Sequence, residues 1–370
     1  MIRWRSAVVD RVRSQWPGAV EYAVTLDGGG QVSALAYVDL VGRPEPGDLV
    51  LLNVTAMERG LGTGGLALVI AVPGRLPPPS QDSAGHLVKA RYTPLQAMVL
   101  GVDEQDSPHH ETLRDADSLG GMPVVVADLH SAVPAVVAGI RDSRPEANVV
   151  YVMSDGGALP IAFSRTVAGL REAGWVSASV TVGQAFGGDA EAVTLHTGLL
   201  AAAHVLGADV AVVSQGPGNL GTGTRWGFSG VAAGEAVNAT ATLAGRAVAS
   251  LRVSQADARE RHRGLSHHSR TAYGRVALVP ADLPVPVLPG DFGVRLLAQA
   301  RALARTTGGR LSLHEVDVGG LDRALGTCPV PLSTMGRGLE QDPASFLAAA
   351  AAGRHAGRLL GSAASDSAAG

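Results

Sequence analysis

The chain contains a single cysteine, Cys328, and a single lysine, Lys89, in 370 residues. One cysteine can form no internal disulfide and excludes a cysteine-built zinc site, a usage that fits a reducing cytoplasm. Any P-loop or Schiff-base lysine would have to be Lys89, and neither motif surrounds it. Aromatic residues make up 4% of the chain, which leaves few stacking platforms for nucleic-acid bases. No apolar run reaches the roughly 18 residues that read as a membrane span; LLAAAHVLGADVAVV is broken by His204 and Asp209. The amino-terminal MIRWRSAVVDRVRS has neither the apolar core nor the cleavage site of a secretion signal. A net charge of −3 and a pI near 6.4 remove the broad positive field that non-specific nucleic-acid or anionic-membrane binding requires, although Arg3, Arg5, Arg11 and Arg13 form a local basic cluster. A soluble cytoplasmic protein with a small-molecule partner is expected, with no membrane, nucleic acid disfavoured, and a homo-oligomer left open.

Residues 1–75 read as a small β-rich domain. The segments AVEYAVTL, QVSALAYVDL, DLVLLNVT and GLALVIAV are separated by turns at Asp27–Gly30 and Pro44–Gly47 and by a glycine-rich turn at Gly60–Gly65, the pattern of an antiparallel β-barrel or β-sandwich. The triple proline in PGRLPPPSQDSAG reads as a stiff exposed linker, so residues 76–120 are expected to be a connecting segment, with Asp103–Asp117 a surface loop. From Met122 the pattern changes to strands alternating with helices of about 12 to 17 residues, which specifies βαβ units. Residues 121–360 are therefore expected to form an α/β domain with a mostly parallel, Rossmann-like layered sheet. A helix is expected from Asp189 to Gly207 and a last one from Asp342-Pro343 through Leu360. Residues 361–370 lack anything to bury and read as a disordered tail.

Four strands end in polar or glycine-rich turns: VVVADLHS, VVYVMSDGGALP, VSASVTVGQAFGGD and ADVAVVSQGPGNLGTGT. In an open α/β sheet the ligand sits outside the carboxyl ends of the strands, so these turns are expected to converge on one crevice. In the first, Asp128 and His130 lie two residues apart and would point the same way on extended backbone, letting Asp128 orient His130; His130 and Ser131 could equally cap the next helix. In the second, Asp155 precedes Gly156 and Gly157 and can act as base, metal ligand or hydroxyl grip, or simply shape the turn. The third carries Gln184, Gly187, Gly188 and Asp189, with Glu191 read as a helix-start acid. The fourth offers Gly216, Gly218, Asn219, Gly221 and Gly223, whose backbone N–H groups can turn toward an anion, with hydroxyls on Thr222 and Thr224. It matches neither the dinucleotide fingerprint nor the Walker loop. Downstream, RHRGLSHHS concentrates Arg263, His267 and His268 at a bend, the residue types that grip anions, move protons or bind metal; the preceding ADARERHR reads as a solvated helix face. Ser333, Thr334 and Arg337 lie on a glycine-flanked turn.

The segments HLVKARYTPLQ, SDGGALP, GQAFGGDAEAV, GPGNLGTGT, RHRGLSHHS and PLSTMGRGLEQD together resemble an uncharacterised bacterial family catalogued as domain of unknown function 3866, over nearly the whole chain. The resemblance implies that the turns form one site and implies no reaction. In that family histidine often stands where this chain has Gln184, which implies that Gln184 is not an indispensable acid or base. The expected function is an enzyme, a hydrolase or group transferase, acting on a small anionic metabolite. Asp128, His130, Asp155, His267 and His268 would be the catalytic candidates, with a divalent metal as the conceivable cofactor. The alternative is a non-catalytic metabolite-binding or scaffold protein whose β-rich domain contacts a protein or nucleic-acid partner.

Overall fold

Five strands build the amino-terminal unit of the computed structural model, which describes residues 1–78 and 84–366. They are β1 (Trp4–Trp16), β2 (Ala19–Leu26), β3 (Gln31–Tyr37), β4 (Leu49–Asn53) and β5 (Leu66–Ala71), closed into a barrel in the order β1-β2-β3-β5-β4. Closure settles barrel over sandwich. β1 closes the ring by pairing along its length with β2 and through Trp4–Val8 with β4, and two register shifts bend it to serve both neighbours. Sequence patterning misses β1 because its outward face is exposed and charged. Three of the amino-terminal arginines are partnered on the surface: Arg3 and Arg5 share Glu58 and Arg13 faces Glu21, so the basic cluster is only partly neutralised.

The second unit is an eight-stranded parallel sheet made of β6 (Pro123–Ala127), β7 (Val149–Ser154), β8 (Ala178–Val182), β9 (Ala190–Ala192), β10 (Val210–Gln215), β11 (Arg246–Ser250), β12 (Ala281–Val287) and β13 (Leu311–Asp317). Their order is β9-β8-β7-β10-β6-β11-β12-β13. Val124 and Val126 point into one hydrophobic layer and Val125 into the other, the two-residue period of a strand buried on both faces. Helix α1 (Val133–Ser143), which leaves β6, and α2 (Arg165–Glu172) pack on one face. Helices α3 (Leu195–His204) and α4 (Ala232–Thr242), the latter leaving β10, pack on the other. β6 and β10 are neighbours, so connections depart to opposite faces between them, and that is where an open sheet leaves a crevice beyond its carboxyl edge.

Three local readings change. The helix expected from Asp189 begins at Leu195, because Ala190–Ala192 pair with β8 as an edge strand and Thr194 caps the helix through Thr197 N at 3.1 Å. β12 is absent from the sequence reading because Pro284 and Pro286 argue against a strand. Alternate residues bond toward the same neighbour, so both prolines withhold donors from one side only; pairing is continuous with β13 and reduced to Val248↔Asp282 with β11. The connecting segment carries a hairpin, Leu87–Lys89 with Ala97–Val99, on the sheet edge, where buried Lys89 reaches Glu191 at 3.2 Å. Part of the expected proline linker, residues 79–83, and the end of the expected tail, 367–370, lie outside the described residues; the last helix, α5, spans Pro343–Asp366. Among the described residues no helix is long and apolar enough to cross a membrane.

Near the opposite edge, buried Asp282 accepts from Arg246 Nε and His355 Nε2 at 2.8 Å each and faces His314 Nε2 at 3.2 Å. Burial pushes its carboxyl up, but the His355 and Arg246 hydrogen bonds outweigh this and lower it from 3.8 to about 2. A depressed carboxylate stabilises the fold above its unfolded pKa and loses that contribution as pH falls through the folded value. The advantage of the wild type over Asp282→Asn in urea unfolding is therefore expected to be about 2 kcal/mol at pH 6 and to shrink between pH 4 and pH 2. A constant difference across that window would refute the assignment.

Candidate active site

At the carboxyl end of β6 the chain turns through Asp128, which is 4% exposed, and at the end of β10 through Gln215, whose Nε2 donates to the Asp128 carbonyl at 2.8 Å. The two residues stitch the crevice between their strands. A cavity of about 330 Å³ opens on the α3/α4 face, lined by Asp128, Asp155, Gly183, Gln215, Ser229 and Glu235 among others. Gly157 and Gly156 serve close approach: a Cβ on Gly157 would fall 2.2 Å from the Gly216 carbonyl and one on Gly156 2.7 Å from Gln215 Oε1. At Gly157 the obstructing atom is backbone, so the second and fourth turns can meet only because that position carries no side chain. Asp155 is exposed and accepts from the Gln184 amide at 3.0 Å, while Gln184 itself accepts from the Arg91 amide at 2.8 Å.

Behind Asp128 lies a histidine-rich group. Arg252 Nη1 and His268 Nδ1 stand 3.7 and 3.5 Å from Asp128 Oδ2, which is buried without a hydrogen-bond partner, and Arg252 Nη1 is 2.9 Å from His268 Nδ1. The His268 ring stacks on Phe228 with centroids 3.7 Å apart, tying the group to the end of the glycine loop. His262 and His267 complete it, with centroids 4.8 Å apart. Burial first, then the charges of Arg252 and Arg259, lower His262 to about 3; burial, then neighbouring His268 and arginines, lower His267 to about 4. Both are neutral imidazoles at physiological pH.

On the opposite side of Gln215 a cleft of about 730 Å³ separates the barrel from the sheet. Barrel residues Arg13, Glu21 and Gly62–Leu66 face Ser131, Arg165 and Gly216–Asn219 across it. Arg13 and Arg165 share one carboxylate, Glu21, so one positive charge is in excess there, and the Arg165 guanidinium lies 4.3 Å from the Trp16 ring centroid. The turn with Ser333 and Met335 closes one wall, held by Ser131 Oγ to Thr334 Oγ1 at 3.0 Å and by Arg337 between Asp257 and Asp342 at 3.3 and 3.1 Å.

The first and second turns, the glycine loop's base and the histidine bend thus come together, and several named candidates do not. His130 is not oriented by Asp128: a 3₁₀ turn follows β6 and ends the strand alternation. Its Nδ1 instead meets Tyr151 Oη at 3.0 Å and its Nε2 meets Ser164 Oγ at 2.7 Å; burial holds it down at about 4, the state of a neutral pin rather than a proton shuttle. Gly187, Gly188 and Asp189 leave the crevice, because the third turn folds back along β8. Gly187 N donates to Glu191 Oε1 at 2.6 Å and Gly188 N to Thr181 Oγ1 at 3.1 Å, and Asp189 pairs with Arg171 and the Ser179 amide. Glu191, placed on β9, is buried against Lys89 rather than at a helix start. Thr222 and Thr224 spend their hydroxyls on each other and on Gly227, so Gly221, Thr222, Gly223 and Thr224 form an exposed tip closed by the Gly221↔Phe228 bridge. Arg263 is exposed and lines neither cavity. Sequence reading missed Gln215, Arg252, Phe228 and Arg165. The first two had a signal, since each lies at or just beyond the end of a strand facing the same rim.

A family model described as a protein of unknown function (DUF3866) matches residues 33–353. No curated protein and no solved structure matches the chain.

Proposed function

Since the chain belongs to the family of proteins of unknown function DUF3866, which supplies no reaction, we propose from the site alone that it is a hydrolase or group transferase acting on a small anionic metabolite. The observation that carries the reading is the cleft between barrel and sheet, where two guanidiniums share one carboxylate beside the Gly216–Asn219 backbone. Arg165 and Arg13 would hold the anionic group, since guanidinium geometry suits phosphate and carboxylate oxygens. Gln215 walls both this cleft and the acid-lined cavity holding Asp128 and Asp155, so a substrate anchored in the first would present its reacting end to a carboxylate in the second. Asp155, exposed and held by the Gln184 amide, is the candidate base.

A thermal-shift screen with inorganic phosphate, sugar phosphates, nucleoside monophosphates and dicarboxylates tests the reading. A ligand at 100 times its Kd stabilises by about 2.7 kcal/mol, and the shift is expected to vanish in Arg165→Ala while that variant stays folded. If no anion shifts the melting temperature at millimolar concentration, or if Arg165→Ala responds like the wild type, the reading fails.

A further inference from the structure

We propose that His262, His267 and His268 hold a divalent transition-metal ion of the zinc type, with Asp128 orienting His268 from behind. This goes beyond the anion cleft and does not depend on it. One nitrogen from each imidazole lies within 4.8 Å of the others. The ring centroids are 4.8, 4.9 and 4.4 Å apart with interplanar angles of 51°, 85° and 67°, so no two rings stack face to face and each can offer a nitrogen to a shared centre. Zinc–nitrogen bonds of about 2.0–2.1 Å in tetrahedral geometry put ligand nitrogens roughly 3.3 Å apart, so the three rings would draw closer on the ion, with half-buried His267 the one least held.

The outer atoms fit the same reading. Ligating imidazoles bond through their second nitrogen to a group that fixes the tautomer. His262 Nδ1 is held by Ser266 Oγ at 2.8 Å, which leaves Nε2 for an ion. His267 Nε2 is buried with no hydrogen-bond partner, although buried polar atoms are nearly always paired. Asp128 Oδ2, equally orphaned, stands 3.5 Å from His268 Nδ1 and 3.7 Å from Arg252 Nη1. Arg252 Nη1 now donates to His268 Nδ1 at 2.9 Å, so binding an ion through Nε2 would place the proton on Nδ1, turn it toward Asp128 and move the Arg252 donor from the imidazole to the same carboxylate. Phe228 fixes the His268 ring plane. The surrounding Arg252, Arg259 and Arg261 favour an ion whose fourth position carries an anionic oxygen, and half-buried His267 marks the side from which it would enter.

The full chain, stripped with EDTA, is titrated with Zn²⁺ by calorimetry and with Co²⁺ by visible absorption. One ion per chain and the strong visible bands of tetrahedral Co²⁺ are expected. His267→Ala is expected to weaken binding at least 100-fold while keeping the wild-type circular dichroism. Asp128→Asn is expected to weaken it about 10- to 100-fold, and His314→Gln, in the separate Asp282 group, to leave it unchanged. Wild-type affinity in folded His267→Ala, loss in His314→Gln instead, or no uptake by the folded wild type would overturn the site; unchanged affinity in Asp128→Asn would overturn the orienting role. Zinc uptake without any anion-induced thermal shift would uphold this site and sink the anion cleft, and the reverse result would do the opposite.

Discussion

Replacing Arg252 by alanine is expected to cost about 3–5 kcal/mol of stability, among the largest effects of any single substitution in the chain. The Arg252 side chain is 9% exposed and that of Asp128 4%, and no hydrogen-bond partner serves Asp128 Oδ2. Without the guanidinium this carboxylate is a buried charge lacking its counter-ion, and leaving one member of a buried pair costs far more than the pair itself contributes. Urea unfolding of Arg252→Ala, of Asp128→Asn and of the double variant Asp128→Asn/Arg252→Met separates the two quantities. The double variant is expected to recover most of the loss, because no uncompensated charge remains. A single variant within about 1 kcal/mol of wild type, the range of an exposed ion pair, would show that water reaches the pair and that the site is more open than its burial indicates.

That pair also shows what could be read from the chain beforehand. The repeated strand-then-polar-turn pattern carries the parallel sheet, because β-branched runs buried on both faces have few other places to go. It also carries the convergence of Asp128, Asp155 and the Gly216 turn, since parallel strands deliver all their carboxyl ends to one edge. Strand order was not legible: nothing local says that β10 inserts between β6 and β7, yet this insertion puts Gln215 beside Asp128. Partner choice within the crevice was equally hidden. Asp128 and His130 suggested a pair by spacing alone, but the backbone leaves the extended conformation at that point and Asp128 turns toward His268, far along the chain. The third turn misled for a similar reason: Asp189 has the right residue type for a helix cap, and pairing of Ala190–Ala192 along the sheet edge overrides it. β1 was masked by its charged outward face, which a barrel strand turns to solvent, and β12 by its prolines, which a half-paired strand tolerates where a fully paired one does not.

Gly353→Ala is expected to reverse the usual sign of such a change. In a helix interior, replacing glycine by alanine ordinarily stabilises by roughly 0.5–1 kcal/mol through chain entropy. Here α5 lies against α1 so closely that a Cβ on Gly353 would fall 1.9 Å from the Val136 carbonyl oxygen, and one on Gly139 would fall 1.9 Å from that of Ala350. The obstructing atoms are backbone, so no rotamer change relieves the clash and the helices must separate. The run AAAAAG, buried from Ala348 to Ala352, is the sequence expression of this approach, since each larger side chain would widen it. Overpacking of this kind costs about 1–3 kcal/mol and sometimes more, and with two rigid partners the upper end is expected, a net loss of at least about 2 kcal/mol after the entropic gain is subtracted. Gly326→Ala is the matched control: nothing lies within 4 Å of its Cβ position and its φ is not positive, so it should be neutral or slightly stabilising. Denaturant unfolding of the two variants decides the matter, and equal behaviour would mean that α1 and α5 are not in the close contact described. The consequence extends to the crevice, because α1 follows the turn holding Asp128 and Ser131. A displaced α1 is expected to weaken anion-dependent stabilisation in Gly353→Ala while Gly326→Ala retains it.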